Sequence, residues 1–536
     1  VEGWLLDFDG DGLLDIFVTG GGSFDGPEKK EIRGCPCRLY KNMGGWKFKD
    51  VTAETGLSTV DFYNHGCAVA DYDRDGWPDL IVTGYGRLAL FHNESDGRGG
   101  RRFVEVTQLV GLQEDRSWST SAGWADLDGD GYPDLYVCHY VNWSFENNPV
   151  CGGYKVGVTR DNCSPRQFSG LPHSLYHNVA GAGPGARRFQ DVSKEAGILV
   201  CPPSFQDCSK GLGVLLVDLN GDGKPDIYVA NDTTDNFLFL NQSTAGKLSF
   251  REVGMEMGVA RDGTGSATGS MGLDADDYDG SSRPSLWVTT YEGELNSLYQ
   301  DIWQDGRQYF RYSSRAAGIA AVESRQNVGF GTGFIDINND GWPDLVIGNG
   351  HVIHHPHSGD KRQRPILLEN QGNGHFRDIT RRAGEYFQTI HLARGVAIGD
   401  LDNDGRADLV ISHINEPVVV LRNVVGLGGH WIGIELVPKE HRDVVGARVE
   451  VETAERRLTH FAKGGGSYLS SSDRRLLFGL GQNQGVNKIK VYWAWNAGTV
   501  ESFPITGIDR YIRLEQGKGQ SFPATPHDDK SASGAR

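Results

Sequence analysis

The stretch Asp126-Leu127-Asp128-Gly129-Asp130-Gly131-Tyr132-Pro133-Asp134-Leu135-Tyr136-Val137 decides the fold. Its first nine residues set acids at positions 1, 3, 5 and 9 with glycine at 6, and its end reads as a β-strand of branched and aromatic residues. The same nine-residue pattern returns at Asp7/Asp9/Asp11/Asp15, Asp71/Asp73/Asp75/Asp79, Asp218/Asn220/Asp222/Asp226, Asp336/Asn338/Asp340/Asp344 and Asp400/Asp402/Asp404/Asp408. A further copy in register, Asp277, Asp279 and Ser281 through Ser285, has serine for two acids and for the glycine. First residues are 64, 55, 92, 59, 59 and 64 apart, so the period is about 60 residues and one interval carries an insertion.

Each unit has the same order of parts. A glycine-containing apolar strand such as Gly211–Val217 enters the acidic loop, and a second strand such as Asp226–Val229 leaves it. A third ends in Leu-Tyr-x-Asn or a variant (Leu39–Asn42, Leu175–Asn178, Leu238–Asn241), and a fourth centres on Phe48, Phe103, Phe189, Phe250, Phe310 or Phe376. Four antiparallel strands per repeat predict propeller blades. The chain is thus expected to be all-β, a seven-bladed β-propeller over residues 1–429. Seven acidic loops against six fourth strands place the last blade's fourth strand upstream of Val1, where closure would remove two open edges.

The loops read as calcium sites. Oxygen ligands at 1, 3, 5 and 9, with glycine at 6 for φ > 0, converge carboxylates and one backbone carbonyl on a hard cation. Position 7, the expected carbonyl ligand, is Leu13, Trp77, Tyr132, Lys224, Trp342 or Arg406; such indifference to side chain is what a backbone ligand predicts. Magnesium prefers a tighter octahedron, and transition metals call for the His or Cys these loops lack. About six Ca²⁺ are expected, with the serine-bearing copy (Asp277, Asp279, Ser281) a degraded site. Metal-free Asp/Gly turns are the competing reading; six copies in phase argue against it.

Bulk numbers fit. The chain has 536 residues with 74 Gly and only 4 Met, and its net charge of −17 argues against a nucleic-acid partner. No run of 18 apolar residues occurs, so no transmembrane segment is expected. The eight cysteines lie in the first half, none in a CxxC pattern. Cys151/Cys163 and Cys201/Cys208 each close a short polar stretch and suit local disulfides or free thiols, whereas Cys67 and Cys138 in apolar strands read as buried thiols. Asn93, Asn142, Asn162, Asn231 and Asn241 head glycosylation sequons.

From His430 the pattern changes to strands without acidic loops, a small β domain over 430–517, followed by a polar tail, 518–536, expected to be disordered. Its glycine-rich centre, Gly464–Asp473, reads as a hairpin packed on the propeller or as a backbone cradle for an anion.

The acidic loops resemble FG-GAP/VCBS repeats, as in integrin α-chain heads, and His430–Gly517 resembles the ASPIC/UnbV domain. The pair, with Cys151-Gly152, Cys163-x-Pro165, Phe168-x-Gly170 and Leu175-Tyr176 in the insertion (about 141–172), is similar to the cartilage acidic protein family. With no cysteine after Cys208, the chain resembles bacterial members more. The resemblance implies an extracellular calcium-binding protein of adhesion or matrix type, with no catalytic residues carried over.

Three functions compete. The first is an interaction module, secreted, cell-surface or periplasmic, whose partner is a protein, a glycan or a second copy of itself. The second is a propeller enzyme or redox carrier using the channel or the His351, His354, His355, His357 loop. The third is a structural subunit of a surface fibre. Without a Gly-x-Ser-x-Gly, P-loop or haem-attachment motif, the expectation is a non-enzyme.

Overall fold

A computed structural model describes residues 3–523 apart from 154, 156, 184, 201–208, 323–325, 358, 426–427, 497–498 and 506. The chain is all-β: the helices among the described residues are single turns of three or four residues. Seven consecutive antiparallel sheets follow the repeat. In the third, Ser119–Ala125, Asp134–His139, Ser174–Ala180 and Arg187–Asp191 pair in chain order. Six sheets take four strands from the repeat, and the seventh shows three: Ala393–Gly399, Asp408–His413 and Val419–Leu421.

Each acidic loop joins the first strand of its sheet to the second, so all seven loops lie at one end of the sheets. The first strands are buried along their length, as Gly211–Val217 and Gly329–Ile335 illustrate. Apolar residues between successive sheets make one core after another, and the series returns to its start. Trp4, Phe17 and Leu39 of the first sheet pack with Cys67, Leu80 and Val82 of the second. On its other side Leu5, Leu14 and Ile16 pack with Ala397, Leu401 and Val410 of the seventh.

The C-terminal strands form two further sheets around Ile432, Ile434, Val449, Val451, Phe478, Ile489 and Val491. His430–Val437 pairs in parallel with Tyr511–Glu515. Gln520–Pro523 pairs with Thr499–Phe503, so ordered structure runs past the expected boundary at 517. This domain sits on the acidic-loop end: Arg74 Nε donates to Glu440 O (2.7 Å), Trp495 Nε1 to Asp126 O (2.7 Å), and Arg475 Nη2 to Asp400 O (3.1 Å).

The glycine-rich segment is not the expected hairpin. It runs among the first strands of the seven sheets. Gly464 and Gly465 pair with Leu216 and Leu215 of the fourth sheet, and Ser467 exchanges both backbone bonds with Leu273 of the fifth. Ser467 Oγ accepts from Thr332 N of the sixth, Ser472 Oγ from Ile398 N of the seventh, and Ser471 O from Leu5 N of the first. Leu469 N donates to Ser121 Oγ of the third, while its side chain covers Gly66 of the second, where a Cβ would lie 3.2 Å away. The amides of Gly466, Ser467, Leu469 and Asp473 are spent on these strands. Ser467 and Leu469 hold left-handed backbone (φ 53° and 52°), a cost of roughly 1–2 kcal/mol each that these bonds offset.

The insertion lies at the other end, between the second and third strands of the third sheet, and carries the Cys151–Cys163 disulfide. Its Asp161 accepts from the backbone N–H of His354 and His355, and Asn162 Nδ2 donates to Val352 O. Cys67 and Cys138 are buried free thiols. Cys201 and Cys208 lie outside the described residues.

Candidate functional site

In all six intact loops the position-6 glycine has positive φ, from 79° at Gly341 to 96° at Gly131. The turn aims its N–H at the first acid: Gly12, Gly76, Gly131, Gly223, Gly341 and Gly405 each donate to the position-1 carboxylate at 2.7–2.8 Å. In the serine-bearing copy Ser282 makes the same bond to Asp277 with φ 62°, so the turn survives loss of its glycine. The position-7 amides of Leu13, Trp77, Tyr132, Lys224, Trp342 and Arg406 donate to the position-5 carboxylates.

In two loops the position-3 amide pairs with the position-5 residue. Asn220 Oδ1 accepts from Asp222 N (2.9 Å) while its Nδ2 donates to Asp222 Oδ2 (3.3 Å), and Asn338 makes the same two bonds to Asp340, both at 3.0 Å. Asp222 is exposed, and its Oδ1 accepts from Lys224 N. The physical reason is the neutral amide: it carries a donor as well as an acceptor, so it pairs with the neighbouring carboxylate. Asn220 and Asp222, and Asn338 and Asp340, thus meet as amide–carboxylate pairs. A cation at either loop requires that amide to turn away.

The ninth acids do more than face the loop. Asp15, Asp79, Asp134, Asp226, Asp344 and Asp408 are buried, and each accepts one N–H from position 2 of its own loop. A second N–H comes from the asparagine that ends the third strand. That asparagine then reaches sideways. Asn93 Nδ2 donates to Phe8 O of the preceding loop, Asn178 to Tyr72 O, Asn241 to Leu127 O, Asn370 to Tyr278 O and Asn423 to Ile337 O. In the fifth sheet Asp301 stands at the asparagine position and Gln308 supplies the amide to Leu219 O.

The donor set suits a hard cation. Oxygens of Asp7, Asp9 and Asp15, and of Asp71, Asp73 and Asp79, lie within 4.8 Å of one another. Asp9 Oδ1 and Asp402 Oδ1 are buried with no protein hydrogen bond. Burial, reinforced by neighbouring carboxylates, pushes Asp15 up to about 8, Asp126 and Asp218 to about 7 and Asp71 to about 6. Acids this costly to ionise fit a site that a cation completes.

The loops differ in the residue just before the asparagine. Lys41 binds Asp9 and Asp11, His92 lies 3.1 Å from Asp79, and His177 lies 3.0 Å from Asp128. Arg422 binds Asp402 and Asp404, while the fourth and sixth sheets carry Leu240 and Glu369 here. A second missed signal is position 4, which is Gly10, Arg74, Gly129, Gly221, Gly280, Asn339 or Asn403, every one with positive φ. Both were legible as columns of the repeat.

The sequence is similar to known proteins. A family model described as "FG-GAP-like repeat" matches residues 7–82, 71–137 and 336–411, and one described as "ASPIC and UnbV" matches 437–521. The chain joins FG-GAP-like repeats to an ASPIC and UnbV domain. It is similar to cartilage acidic protein 1 of Mus musculus, 23% identical over 485 residues, covering 80% of this chain and 70% of that protein. FG-GAP-like residues also align with integrin alpha-3 of Cricetulus griseus, 30% identical over 142 residues, 25% of this chain and 13% of the integrin. A solved lectin of Agrocybe aegerita, described as recognising non-reducing terminal N-acetylglucosamine, covers 70% of this chain and 78% of its own at 15% identity, with a TM-score of 0.37.

At the end away from the FG-GAP-like acidic loops, Phe24, Tyr63, His65, Tyr85, Trp118, Tyr140, Trp143 and Phe145 form one aromatic cluster, with neighbouring ring centroids 5.1–6.2 Å apart. Phe24, 42% exposed, heads it. These rings come from five separate connections and leave no sequence pattern. Within the histidine run, His351 turns to Glu292 (3.3 Å) and His354 to Lys361 (2.7 Å). Of the sequons, Asn93, Asn231 and Asn241 are buried structural amides; Asn142 and Asn162 are exposed.

Proposed function

We propose that the chain is an extracellular, non-catalytic interaction module: a seven-bladed propeller whose six intact acidic loops hold calcium and whose outer surface binds a protein or glycan. The observation that carries this reading is the Gly464–Asp473 segment bonded among the first strands, because a filled centre leaves the faces, not a channel, for contact with other molecules. Calcium would be held by the side-chain oxygens at positions 1, 3, 5 and 9, with Asn220 and Asn338 turned to offer theirs, and by the position-7 carbonyl. It would supply charge balance to loops that also seat the C-terminal domain. The sequence likeness to cartilage acidic protein 1 and to an integrin α chain supports a place outside the cell, where millimolar calcium suits such loops. Among the described residues no helix is long and apolar enough to cross a membrane.

The aromatic cluster around Phe24 and Trp143 is the contact surface this reading assigns. Tyr and Trp combine a large apolar face with a polar edge, a combination suited to sugar rings and to protein anchors. The test is a glycan array and a cross-linking capture from the native surface fraction, run with the full chain in calcium and in EGTA, beside Phe24→Ala and Trp143→Ala. Calcium-dependent capture lost in both variants is expected. Equal capture by wild type and variants would remove the assigned surface, and equal capture with an unchanged melting temperature in EGTA would remove the calcium reading.

A further inference from the structure

We propose that His391, His413 and Glu416 form a second kind of metal site, for a first-row transition dication such as zinc, at the end of the seventh sheet opposite its acidic loop. The strands fix the location. The acidic loop 400–408 closes one end of the pair Ala393–Gly399 and Asp408–His413; His391 precedes the first strand, His413 ends the second, and Glu416 lies in the turn that follows. The site is therefore distinct from every oxygen-only loop, and it rests on different chemistry: two imidazoles and one carboxylate are a borderline-soft donor set.

One donor atom from each of the three residues lies within 4.8 Å of the others. His391 Nδ1 and Glu416 Oε2 are 3.1 Å apart, near the edge of about 3.4 Å expected of a tetrahedron with bonds of ~2.1 Å. His413 is buried, and its Nδ1 lies 2.8 Å from Pro417 O, which places the proton on Nδ1 and leaves the Nε2 lone pair for a metal. Tyr386 Oη lies 2.8 Å from that Nε2 and donates its proton to it, the bond that a metal would replace. His391 is oriented too: its ring stacks on Tyr386 at 4.3 Å, and its Nε2 lies 2.6 Å from Thr389 Oγ1, which donates its own proton to Tyr386 O. The imidazole can thus keep a proton on Nε2 and give up the one on Nδ1, which a metal replaces in the gap to Glu416.

Arg362 Nε holds the other carboxylate oxygen, Oε1, at 2.7 Å. It turns Oε2 toward the histidines, and its half-exposed guanidinium is screened by solvent, so it orients the ligand more than it repels the cation.

The test uses the full chain freed of trace metal and held in excess calcium, titrated with Zn²⁺ by calorimetry and with Co²⁺ by visible absorption. One equivalent is expected, with the intense ligand-field bands of tetrahedral Co²⁺. His391→Ala and Glu416→Gln, both at part-exposed positions, should each weaken binding by about tenfold to a hundredfold while leaving the calcium-dependent melting temperature unchanged. No saturable binding, or binding equal in wild type and both variants, would overturn the site. Neither outcome bears on the calcium reading, because calcium is present throughout.

Discussion

Asn42 of the first sheet donates from Nδ2 to the carbonyl of Leu401 in the seventh, 2.8 Å away across 359 residues of chain. It is the asparagine bond that the second, third, fourth, sixth and seventh sheets make to their predecessors, and that Gln308 replaces in the fifth, repeated between the first and last sheets of the series. The same amide also holds Leu14 O at 3.1 Å, and Oδ1 accepts from Gly44 N. Asn42→Ala leaves two buried carbonyls unpaired, a loss of about 2–4 kcal/mol. Asn241→Ala should cost as much, yet there the chain itself tethers the sheets. Hydrogen exchange should therefore show the first-sheet strands opening in Asn42→Ala alone; equal local protection in the two variants would mean that the seam is held by its apolar contacts.

The acidic loops give a pH dependence whose sign is fixed by burial. Asp15, Asp126, Asp218, Asp336 and Asp408 are pushed up to about 8, 7, 7, 7 and 7, and Asp71 and Asp400 to about 6, from an ordinary 3.8. Without metal the folded state therefore binds more protons than the unfolded one. The stability these groups contribute is present below pH 3.8 and is lost as pH rises to about 8. In EGTA the melting temperature should fall between pH 5 and pH 8; saturating calcium displaces the protons and should flatten that slope. Parallel curves in the two buffers would sink the assignment.

The repeat, its strand order and its loops were legible because each is a column of residues at fixed spacing, so six weak signals reinforce one another. The asparagine clasp was visible as Leu-Tyr-x-Asn but not its target, since the bond to the preceding loop is tertiary. Gly464–Asp473 misled for the opposite reason. It occurs once, its glycines suit several turns, and its role depends on strands 74 residues and more away. The aromatic cluster was likewise invisible, because its residues come from separate connections of neighbouring sheets; His391 and His413 meet only through the register of the pair Ala393–Gly399 and Asp408–His413.

The inserted segment tolerates no side chain where it pairs. Gly465 has φ 75°, and a Cβ there would stand 2.3 Å from Val214 O. Gly465→Val should expel the segment, removing the strand pairing with Leu215 and loosening Ser467 from Leu273. A loss of more than about 3 kcal/mol is expected, read by calorimetry as a lower melting temperature with the C-terminal domain melting separately. A single transition at the wild-type temperature would show that the segment does not hold the two parts together.

Calcium affinity should differ among the loops according to the residue before the asparagine. Lys41 places its ammonium on Asp9 and Asp11, where the cation would stand, and the pair is only partly exposed. Arg422 and Arg406 do the same at Asp402 and Asp404. Leu240 brings no charge to its loop and Glu369 adds a negative one, so the fourth and sixth sheets should fill first. Their position-3 residues, Asn220 and Asn338, offer one carboxylate fewer, but turning an amide costs less than displacing an ammonium from two carboxylates. In the fifth, Ser285 stands where the ninth acid would be, and Arg283 approaches Asp301 at 3.6 Å, so that loop should stay empty. Calorimetry of the metal-free chain should resolve a tight class and a weak class totalling about six. Lys41→Met should move one site from the weak class to the tight one by on the order of tenfold, the scale of removing a cation within 4 Å in a partly shielded site. An unchanged isotherm would mean that the ammonium swings aside at no cost, and the ranking by this one position would fail.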